Sequence, residues 1–372
     1  MEELKIVTYI KTHGLDKTIR DFKLVMKDYS HKILLKYNQI ESPMEFEEVQ
    51  EARGLILEKG TWKVMSYGFK KFFNSAEGNA STMDWLTARI LEKCDGSFIT
   101  LYYDWVTKEW CASTTGTANG DGEVNNKMGT TFSDLFFDTF TNHESFLRNA
   151  DKNLVYMFEL MTPYNIVVTP HPTSKITLLS IRNLTTLKEM SFEWLEDFAS
   201  NNGLELVKSY DLNKGNYGAL IKTFEGMSFT DEGYVVVDAN HNRTKVKNPA
   251  YVAVHHLKGK VAEHNIMTIV KSNEVDEFSA TFPDRKEEIS KLKINYDNLI
   301  SELEVAWSEI PKPKNITKEE QKKFAINVFD VIKKNDGLTK FSGLFFALKD
   351  NKVGSVKEYV ERCDDKMLYQ IL

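Results

Sequence analysis

The chain has few cysteines and no long apolar segment, and each absence excludes a class of protein. Its 372 residues include 3 cysteines, which lack the close spacing of a zinc site or a disulfide framework. No apolar run approaches the ~20 residues of a membrane-spanning helix, and the first residues lack the apolar core of a secretion signal. We therefore expect a protein without membrane spans that works in a reducing cytoplasm.

The chain also lacks a large excess of charge of one sign. The net charge of −6 excludes a uniformly basic coat for nucleic acid, although it leaves room for a local basic groove. Hydrophobic residues make up 42% of the chain and aromatic residues 12%, which is the composition of a globular protein rather than a disordered one. The length predicts two domains, at ~100–200 residues each.

The residues up to about 250 carry short apolar or alternating runs bounded by turn residues, which are typical of strands. We predict strands that include Gly54–Glu58, Ser97–Trp105, Val155–Met161, Gly233–Asp238 and Thr244–Lys247. Ser133 and Ser191 each precede a helical pattern and are predicted N-caps. Because strands outnumber helices and are irregularly spaced, antiparallel sheets with helices outside are favoured over a parallel, doubly wound sheet.

From about residue 250 the strand signals fade and helical patterns take over. Apolar residues step by three or four positions, as on one face of a helix. They are Ile289, Leu292, Tyr296, Leu299, Leu303, Ala306 and Ile310. Pro311 and Pro313 end this helix, and Thr317 and Ser355 begin capping boxes of further helices. The sequence thus predicts an α+β domain over residues 1–249 and an all-helical domain over residues 250–372.

Two lysine patterns are candidates for chemistry. Lys93 lies in a Lys-Cys-Asp-Gly turn before a predicted strand, where a surface lysine is the ordinary explanation. Lys245 and Lys247 point to the same face of a strand, ~7 Å apart. Two neighbouring ammonium groups repel each other, so a phosphate over both would explain the pair. The alternative is an exposed edge strand whose lysines deter aggregation.

Two carboxylates lie in or beside apolar strands. Glu159 shares a strand face with apolar residues, where a carboxylate costs stability unless it has a partner or a task. Glu232 comes just before Gly233 and a buried strand, a position that suits a metal or ribose contact. The alternative for each residue is a polar side chain at a strand edge whose hydrogen bonds are satisfied.

The order of these elements is more informative than any one of them. Along the chain follow Arg53-Gly, KKFFN, KCDGSFI, FELMTPYNIVV, EGYVVVD and Lys-Val-Lys. Together they resemble the covalent nucleotidyltransferases, and most closely the ATP-dependent RNA ligases of the bacteriophage RNA ligase 1 type. The resemblance covers residues 45–250. It implies an ATP-grasp-like nucleotidyltransferase domain of α+β fold, with antiparallel sheets and flanking helices, followed by a helical C-terminal domain.

The resemblance also implies a reaction in three steps. A lysine, here Lys93, attacks the α-phosphorus of ATP and forms lysyl-AMP; AMP then moves to an RNA 5′-phosphate; finally an RNA 3′-hydroxyl displaces it. Because an amine attacks only when deprotonated, and the ordinary pKa of lysine is about 10.4, neighbouring cations such as Lys245 and Lys247 would assist by disfavouring the ammonium.

The remaining roles are carried over by resemblance alone. Glu159 would hold the ribose hydroxyls, and Glu232 would bind Mg²⁺. Lys245 and Lys247 would contact the α-phosphate. Arg53 and Lys70 would contact the sugar or phosphates. Asp95 would act in the later steps, and Gly96 would let the backbone approach the nucleotide.

The expected partners are RNA ends, either single-stranded RNA or a nicked tRNA, in a host cell's cytoplasm, with no obligate protein partner. Residues 250–372 would then be the RNA-specificity module, although no aromatic run marks a base-stacking platform there. Some relatives carry a lysine before the Gly116 position, where this chain has Thr115. The Gly-rich residues 116–122 lack the Gly-Lys-Ser/Thr ending of a P-loop and are predicted to form a flexible loop.

Two alternatives to an RNA ligase stay open at this point, and a structural zinc site is not favoured. A DNA ligase or a capping enzyme would continue with a five-stranded OB-fold, and no such strand series follows Lys247. A catalytically silent RNA-binding relative would keep the fold without the reaction. A structural zinc site at His255, His256 and His264 lacks the required partner spacing.

Overall fold

The computed structural model describes most of the chain. It covers residues 3–75, 77–124, 127–165, 171–210, 217–228, 231–249, 251–252, 266–271, 273, 275–281, 285–313, 317–334 and 336–372. The contacts divide the chain into two compact units, Met1–Lys258 and Gly259–Leu372. The predicted boundary between residues 249 and 250 stays a prediction, because most of residues 250–265 lie outside the described part.

The first unit is built largely of strands. These are β1 (Leu24–Asp28), β2 (Lys32–Tyr37), β3 (Arg53–Glu58), β4 (Val64–Ser66), β5 (Phe73–Asn74), β6 (Arg89–Glu92), β7 (Ser97–Asp104), β8 (Glu109–Ser113), β9 (Glu123–Val124), β10 (Lys127–Thr131), β11 (Leu154–Met161), β12 (Lys175–Asn183), β13 (Ser209–Tyr210), β14 (Gly233–Val237) and β15 (Arg243–Lys247). The helices of this unit are α1 (Lys5–His13), α2 (Leu15–Phe22), α3 (Glu47–Glu51), α4 (Phe132–Thr139), α5 (His143–Asn149), α6 (Phe192–Asn202) and α7 (Tyr217–Lys222).

The strands form three larger sheets and one short hairpin. The sheet orders are β1-β2-β3-β4, β12-β11-β7-β8 and β13-β6-β14-β15-β5, and β9 pairs with β10. The pairings are antiparallel except that of β15 with β5, which is parallel. The predicted antiparallel α+β organisation is therefore confirmed.

Of the two N-caps predicted in this unit, one is confirmed and one is wrong. The N-cap at Ser191 is confirmed, because its side chain accepts from Trp194 N–H. The N-cap predicted at Ser133 is wrong: Thr131 caps α4 in a reciprocal capping box with Asp134. A threonine followed three residues later by an acid satisfies two backbone donors at once, which explains why the helix begins earlier.

The Gly-rich residues 116–122 form a packed loop, so the predicted flexible loop is wrong. Ala118 is fully buried. Its carbonyl accepts from the Tyr102 hydroxyl at 3.0 Å, and its N–H donates to the Tyr29 hydroxyl at 2.9 Å. The buried Tyr102 and the half-buried Tyr29 thus satisfy this backbone, as buried polar groups require.

Regular elements in the described part of the second unit are helical. They are α8 (Ile266–Lys271), α9 (Val275–Thr281), α10 (Lys286–Glu309), α11 (Lys318–Lys334), α12 (Ser342–Lys349), α13 (Val356–Glu361) and α14 (Asp365–Ile371), with 3₁₀ turns at Asp336–Phe341. The predicted apolar face of α10 is buried in the core of this unit. Thr317 and Ser355 accept from the N–H groups of Glu320 and Glu358, which confirms both caps. None of the described helices is both long and apolar enough to cross a membrane.

Candidate active site

Lys93 directly follows β6 and is held by one backbone and one side-chain contact. Its N–H donates to the Gly233 carbonyl at 2.9 Å. Its Nζ lies 2.5 Å from Glu232 Oε2, and the side chains of Lys93 and Glu232 are 19% and 8% exposed. The lysine is thus largely enclosed, and its one charged group faces a carboxylate. An ammonium has no lone pair, so attack by this nitrogen requires that it lose a proton and leave Glu232.

Glu232 also lies near a second cation, Lys247. Glu232 Oε1 is 3.9 Å from Lys247 Nζ. The next residue, Gly233, has φ +127°, and a Cβ there would lie 2.3 Å from the Val246 carbonyl oxygen. Only glycine fits this approach of β14 to β15. This close pairing places the carboxylate near two lysines, Lys93 after β6 and Lys247 of β15.

Lys245 lies on the same face of β15 as Lys247, at the centre of a cluster of cations. The strand is internal, between β14 and β5, so the alternative of an exposed edge strand is wrong. Burial lowers the pKa of Lys245 to about 7, assisted by the charges of Lys71, Lys93, Arg53 and Lys247. An anion such as a phosphate would favour the charged form of Lys245 in this cluster.

Glu159 lies on β11, opposite Phe98 of β7. Its Oε1 accepts from the Gly96 N–H at 3.1 Å. Burial raises the pKa of this carboxyl, Lys93 opposes the shift and the nearby Glu232 charge adds to it, so that the pKa is about 7. This half-buried strand carboxylate therefore has its partner in the backbone of the loop that carries Lys93.

Gly96 is fixed by contact with β11. A Cβ at this position would lie 2.4 Å from the Leu160 carbonyl oxygen and 2.8 Å from the Met161 side chain. Real Cβ atoms do not approach a backbone oxygen so closely, so any side chain would push the loop away. In the structure Gly96 therefore lies in close contact with β11.

Arg53, at the start of β3, lies between two aromatic rings. Its guanidinium carbon is 5.7 Å from the ring centre of Phe72 and 5.0 Å from that of Phe98. Among the described residues, its buried Nη1 has no hydrogen-bond partner. A buried donor without a partner costs stability, which a ligand with acceptor oxygens would remove.

A cavity of about 250 Å³ is lined by Lys93, Lys245, Glu159, Gly96 and Arg53. One part of its wall is polar and charged, and the other is apolar, as nucleotide and other small-molecule sites commonly are. The lining residues are Arg53, Phe69, Phe72, Leu91, Glu92, Lys93, Cys94, Gly96, Phe98, Glu159, Leu179, Val207, Val235, Arg243 and Lys245.

Asp95 lies on the other side of Lys93. It lines a second cavity, of about 620 Å³, together with Lys93 and Glu232. The buried Asp95 carboxylate accepts from the Tyr251 hydroxyl at 3.0 Å, and its carbonyl lies 2.5 Å from His171 Nε2. Lys93 thus lines both cavities, and Asp95 lines the larger of the two.

Lys70 does not join the site around Lys93. Its Nζ lies 3.5 Å from Glu47, and it lines a third cavity, of about 490 Å³, together with Lys71 and Phe72. The neighbouring Lys71 is the residue whose charge acts on Lys245. The sequence pattern did not favour Lys71 over Lys70, and it missed Tyr251, which no recognisable motif marks.

Protein side chains alone would supply only some of the ligands of a divalent metal at this site. Among the described residues no group of three or more His, Cys, Asp and Glu side chains is placed to hold a metal. Glu232 offers one carboxylate beside Lys93, and Mg²⁺ is commonly bound by one or two carboxylates together with substrate phosphates and water. The residues therefore fit a cation that binds with the nucleotide. His255, His256 and His264 lie outside the described residues.

Comparison with known proteins finds RNA ligases. A family model described as RNA ligase matches residues 51–251, which include every predicted site residue. An RNA ligase of Rhodothermus phage RM378 is 28% identical over 344 residues, covering 75% of this chain and 78% of that protein.

Similar solved structures include two RNA ligases. An archaeal ATP-dependent RNA ligase is 14% identical with a TM-score of 0.47, covering 88% of this chain and 90% of that one. A Naegleria gruberi RNA ligase solved with ATP and Mn is 15% identical with a TM-score of 0.34, covering 45% of this chain and 51% of that one.

Proposed function

The chain belongs to the RNA ligase family, and we propose that this ligase couples ATP cleavage to the joining of RNA ends through lysyl-AMP on Lys93. In the first step Lys93 Nζ bonds to the α-phosphorus, the bond to the β-phosphate oxygen breaks, and pyrophosphate leaves. An RNA 5′-phosphate oxygen then displaces Nζ from phosphorus. In the last step an RNA 3′-hydroxyl attacks that activated phosphate, its proton is lost, and AMP leaves.

One observation carries the proposal: Lys93 Nζ is within 2.5 Å of Glu232 at the wall of a cavity that also contains Lys245 and Glu159. The cavity of about 250 Å³ is lined by the Lys93 amine, the Glu159 carboxylate and the Lys245 side chain, and this set suits a nucleotide phosphate better than a neutral ligand. Neighbouring cations disfavour an ammonium, so a merely structural role does not explain why Lys93 lies among them.

Lys245 and Lys247 would stabilise the charge that develops on the α-phosphate. Such preorganised cations are effective because they need no reorganisation during the reaction. The unpartnered Nη1 of Arg53 and the carboxylate of Glu159 would bind the sugar, where Glu159 accepts from the ribose hydroxyls. Gly96 supports this arrangement because its N–H holds the Glu159 carboxylate.

Glu232 would hold Mg²⁺, which supplies Lewis-acid stabilisation of the phosphate charge when it is bound. Asp95 and the cavity of about 620 Å³ beside it are placed to act in the later steps, at the RNA end. Lys70 and the better-placed Lys71 would engage the outer phosphates.

We further propose that residues 250–372 select the RNA. Single-stranded RNA or a nicked tRNA would be the substrate, in the cytoplasm of a host cell. The helical described part of residues 259–372, which contains no strand, argues against the OB-fold of DNA ligases and capping enzymes.

The test is a ligation assay with end-labelled, 5′-phosphorylated RNA, ATP and Mg²⁺. We expect joined or circular RNA and a transient RNA-adenylate. Matched 5′-phosphorylated DNA is the control for the substrate. A silent relative would bind nucleotide and RNA but give neither product, and that result would contradict the proposal.

A further inference from the structure

Helix α11 (Lys318–Lys334) has an exposed stripe that its core packing does not explain. Its opposite face is buried through Phe324, Val328, Val331 and Ile332. At ~100° per residue, positions 318, 322, 326, 329 and 333 fall within about 80° of one another. We call these five residues the α11 stripe: Lys318, Lys322, Ile326, Phe329 and Lys333.

The stripe combines apolar exposure with positive charge. Ile326 and Phe329 are each 51% exposed, which is a large apolar area for one turn of a surface helix. The three lysines are exposed, and among the described residues none forms an ion pair. By contrast Lys323, outside the stripe, pairs with Glu319 at 3.3 Å. The helix's acidic residues, Glu319, Glu320 and Asp330, all lie outside the stripe.

We propose that the α11 stripe binds the backbone and one or more bases of the RNA substrate. Lysines flanking an exposed aromatic ring provide the two interactions that single strands offer, phosphate charge and a base face for stacking. The stripe spans about 22 Å from Lys318 to Lys333 at ~1.5 Å per residue. This length covers about six phosphates at ~3.4 Å per nucleotide of one strand.

The charge of the stripe favours RNA over a second copy of this chain. The whole chain carries a net charge of −6, yet the stripe contains three cations and no anion. A self-complementary interface would bring the lysines of two copies together, which costs energy. This inference rests on the proposed RNA ligase function, because that function supplies the anionic, base-containing partner.

The test measures RNA binding without catalysis. Full-length protein carrying Lys93→Ala is titrated, without ATP, into a short fluorescent single-stranded RNA, and anisotropy is read at several salt concentrations. Phe329→Ala is expected to weaken binding about tenfold, which is within the usual contribution of one stacked base. Phe329→Tyr, which keeps a ring, is expected to bind like the parent.

The lysines are tested by salt dependence. Replacing Lys318, Lys322 and Lys333 with Gln is expected to reduce the slope of log affinity against log salt by about 2, at ~0.7 per lost phosphate contact. The matched control replaces Lys323 and Lys334, on the same helix outside the stripe, and is expected to leave the slope unchanged. Thermal melting establishes that each variant is folded.

Three results would overturn the inference. The first is that the parent does not bind this RNA, and the second is that Phe329→Ala and the three-lysine variant bind as the parent does. The third is that sedimentation shows self-association of the parent and its loss in Phe329→Ala. Failure of the proposed function would instead appear as absent ligation by the wild-type chain with RNA binding intact.

Discussion

Glu232 Oε2 lies 2.5 Å from Lys93 Nζ, so the proposed nucleophile and the proposed metal-binding carboxylate form an ion pair. The same carboxylate has its other oxygen 3.9 Å from Lys247 Nζ. These contacts hold the lysine at the wall of the cavity, but an amine paired in this way cannot attack phosphorus. On the proposed mechanism, reaction therefore requires that the nucleotide and its cation separate the pair.

Glu232→Gln tests this relationship. The amide keeps the size of the side chain but loses the charge that a divalent cation requires. We expect the Mg²⁺ concentration for half-maximal adenylation to rise by about 10- to 100-fold, the usual cost of weakening a metal site. Adenylation is measured across a Mg²⁺ titration. An unchanged titration curve would exclude Glu232 as a metal ligand.

Lys245→Met should raise stability and lower activity. The pKa of Lys245 is about 7 in the folded chain, against an ordinary value of 10.5. Between pH 7 and 10.5 the unfolded chain therefore binds the extra proton, so the wild-type free energy of unfolding rises with pH in that window. We expect Lys245→Met to be more stable than wild type at pH 7, with the difference shrinking towards pH 10.

The same variant should lose activity. Removing one preorganised cation from the developing phosphate charge commonly costs about 10²–10³ in rate. Chemical denaturation at several pH values and an adenylation assay give the two readouts. Equal or lower stability at pH 7 would show that the buried amine is not a source of strain.

Lys71→Ala and Lys70→Ala should differ, although the two residues are neighbours. Lys71 acts on the pKa of Lys245, whereas Lys70 lies near Glu47 on the surface. We expect adenylation to fall at least about tenfold for Lys71→Ala and less for Lys70→Ala. The measurement is kcat/KM for ATP in both variants. A larger loss for Lys70→Ala would restore the assignment made from the sequence.

Gly96→Ala should damage both packing and the site. Its Cβ would meet the Leu160 carbonyl oxygen at 2.4 Å, so the loop must move and the hydrogen bond from Gly96 N–H to Glu159 is strained. We expect a loss of roughly 1–3 kcal/mol in the free energy of unfolding, together with slower adenylation. Gly78→Ala is the control, since its Cβ would meet nothing within 4 Å. Equal effects at both positions would refute the packing argument.

The sequence predicted elements whose signals are local. Alternation predicted β7, β11, β14 and β15 closely, and the three-to-four-residue spacing predicted the buried face of α10. Likewise, alternation along β15 correctly placed Lys245 and Lys247 on one face. Such patterns depend only on the period of the backbone, so no knowledge of distant contacts is needed.

Features that depend on distant partners were missed. Ala118 is buried by tyrosines from other elements, and so a Gly-rich stretch that reads as a mobile loop is packed. Tyr251 reaches Asp95 across the fold, and only the arrangement of the sheets distinguishes Lys71 from Lys70. The composition of a segment contains no record of these contacts.

The most direct test of the account is the identity of the adenylated residue. The protein is incubated with ATP and Mg²⁺, denatured, digested and examined by mass spectrometry, with Lys93→Ala treated alongside. We predict an acid-labile AMP adduct on Lys93 in the wild-type chain and none in the variant. An adduct on another lysine, or an adduct that survives in Lys93→Ala, would contradict the assignment of Lys93 as the nucleophile.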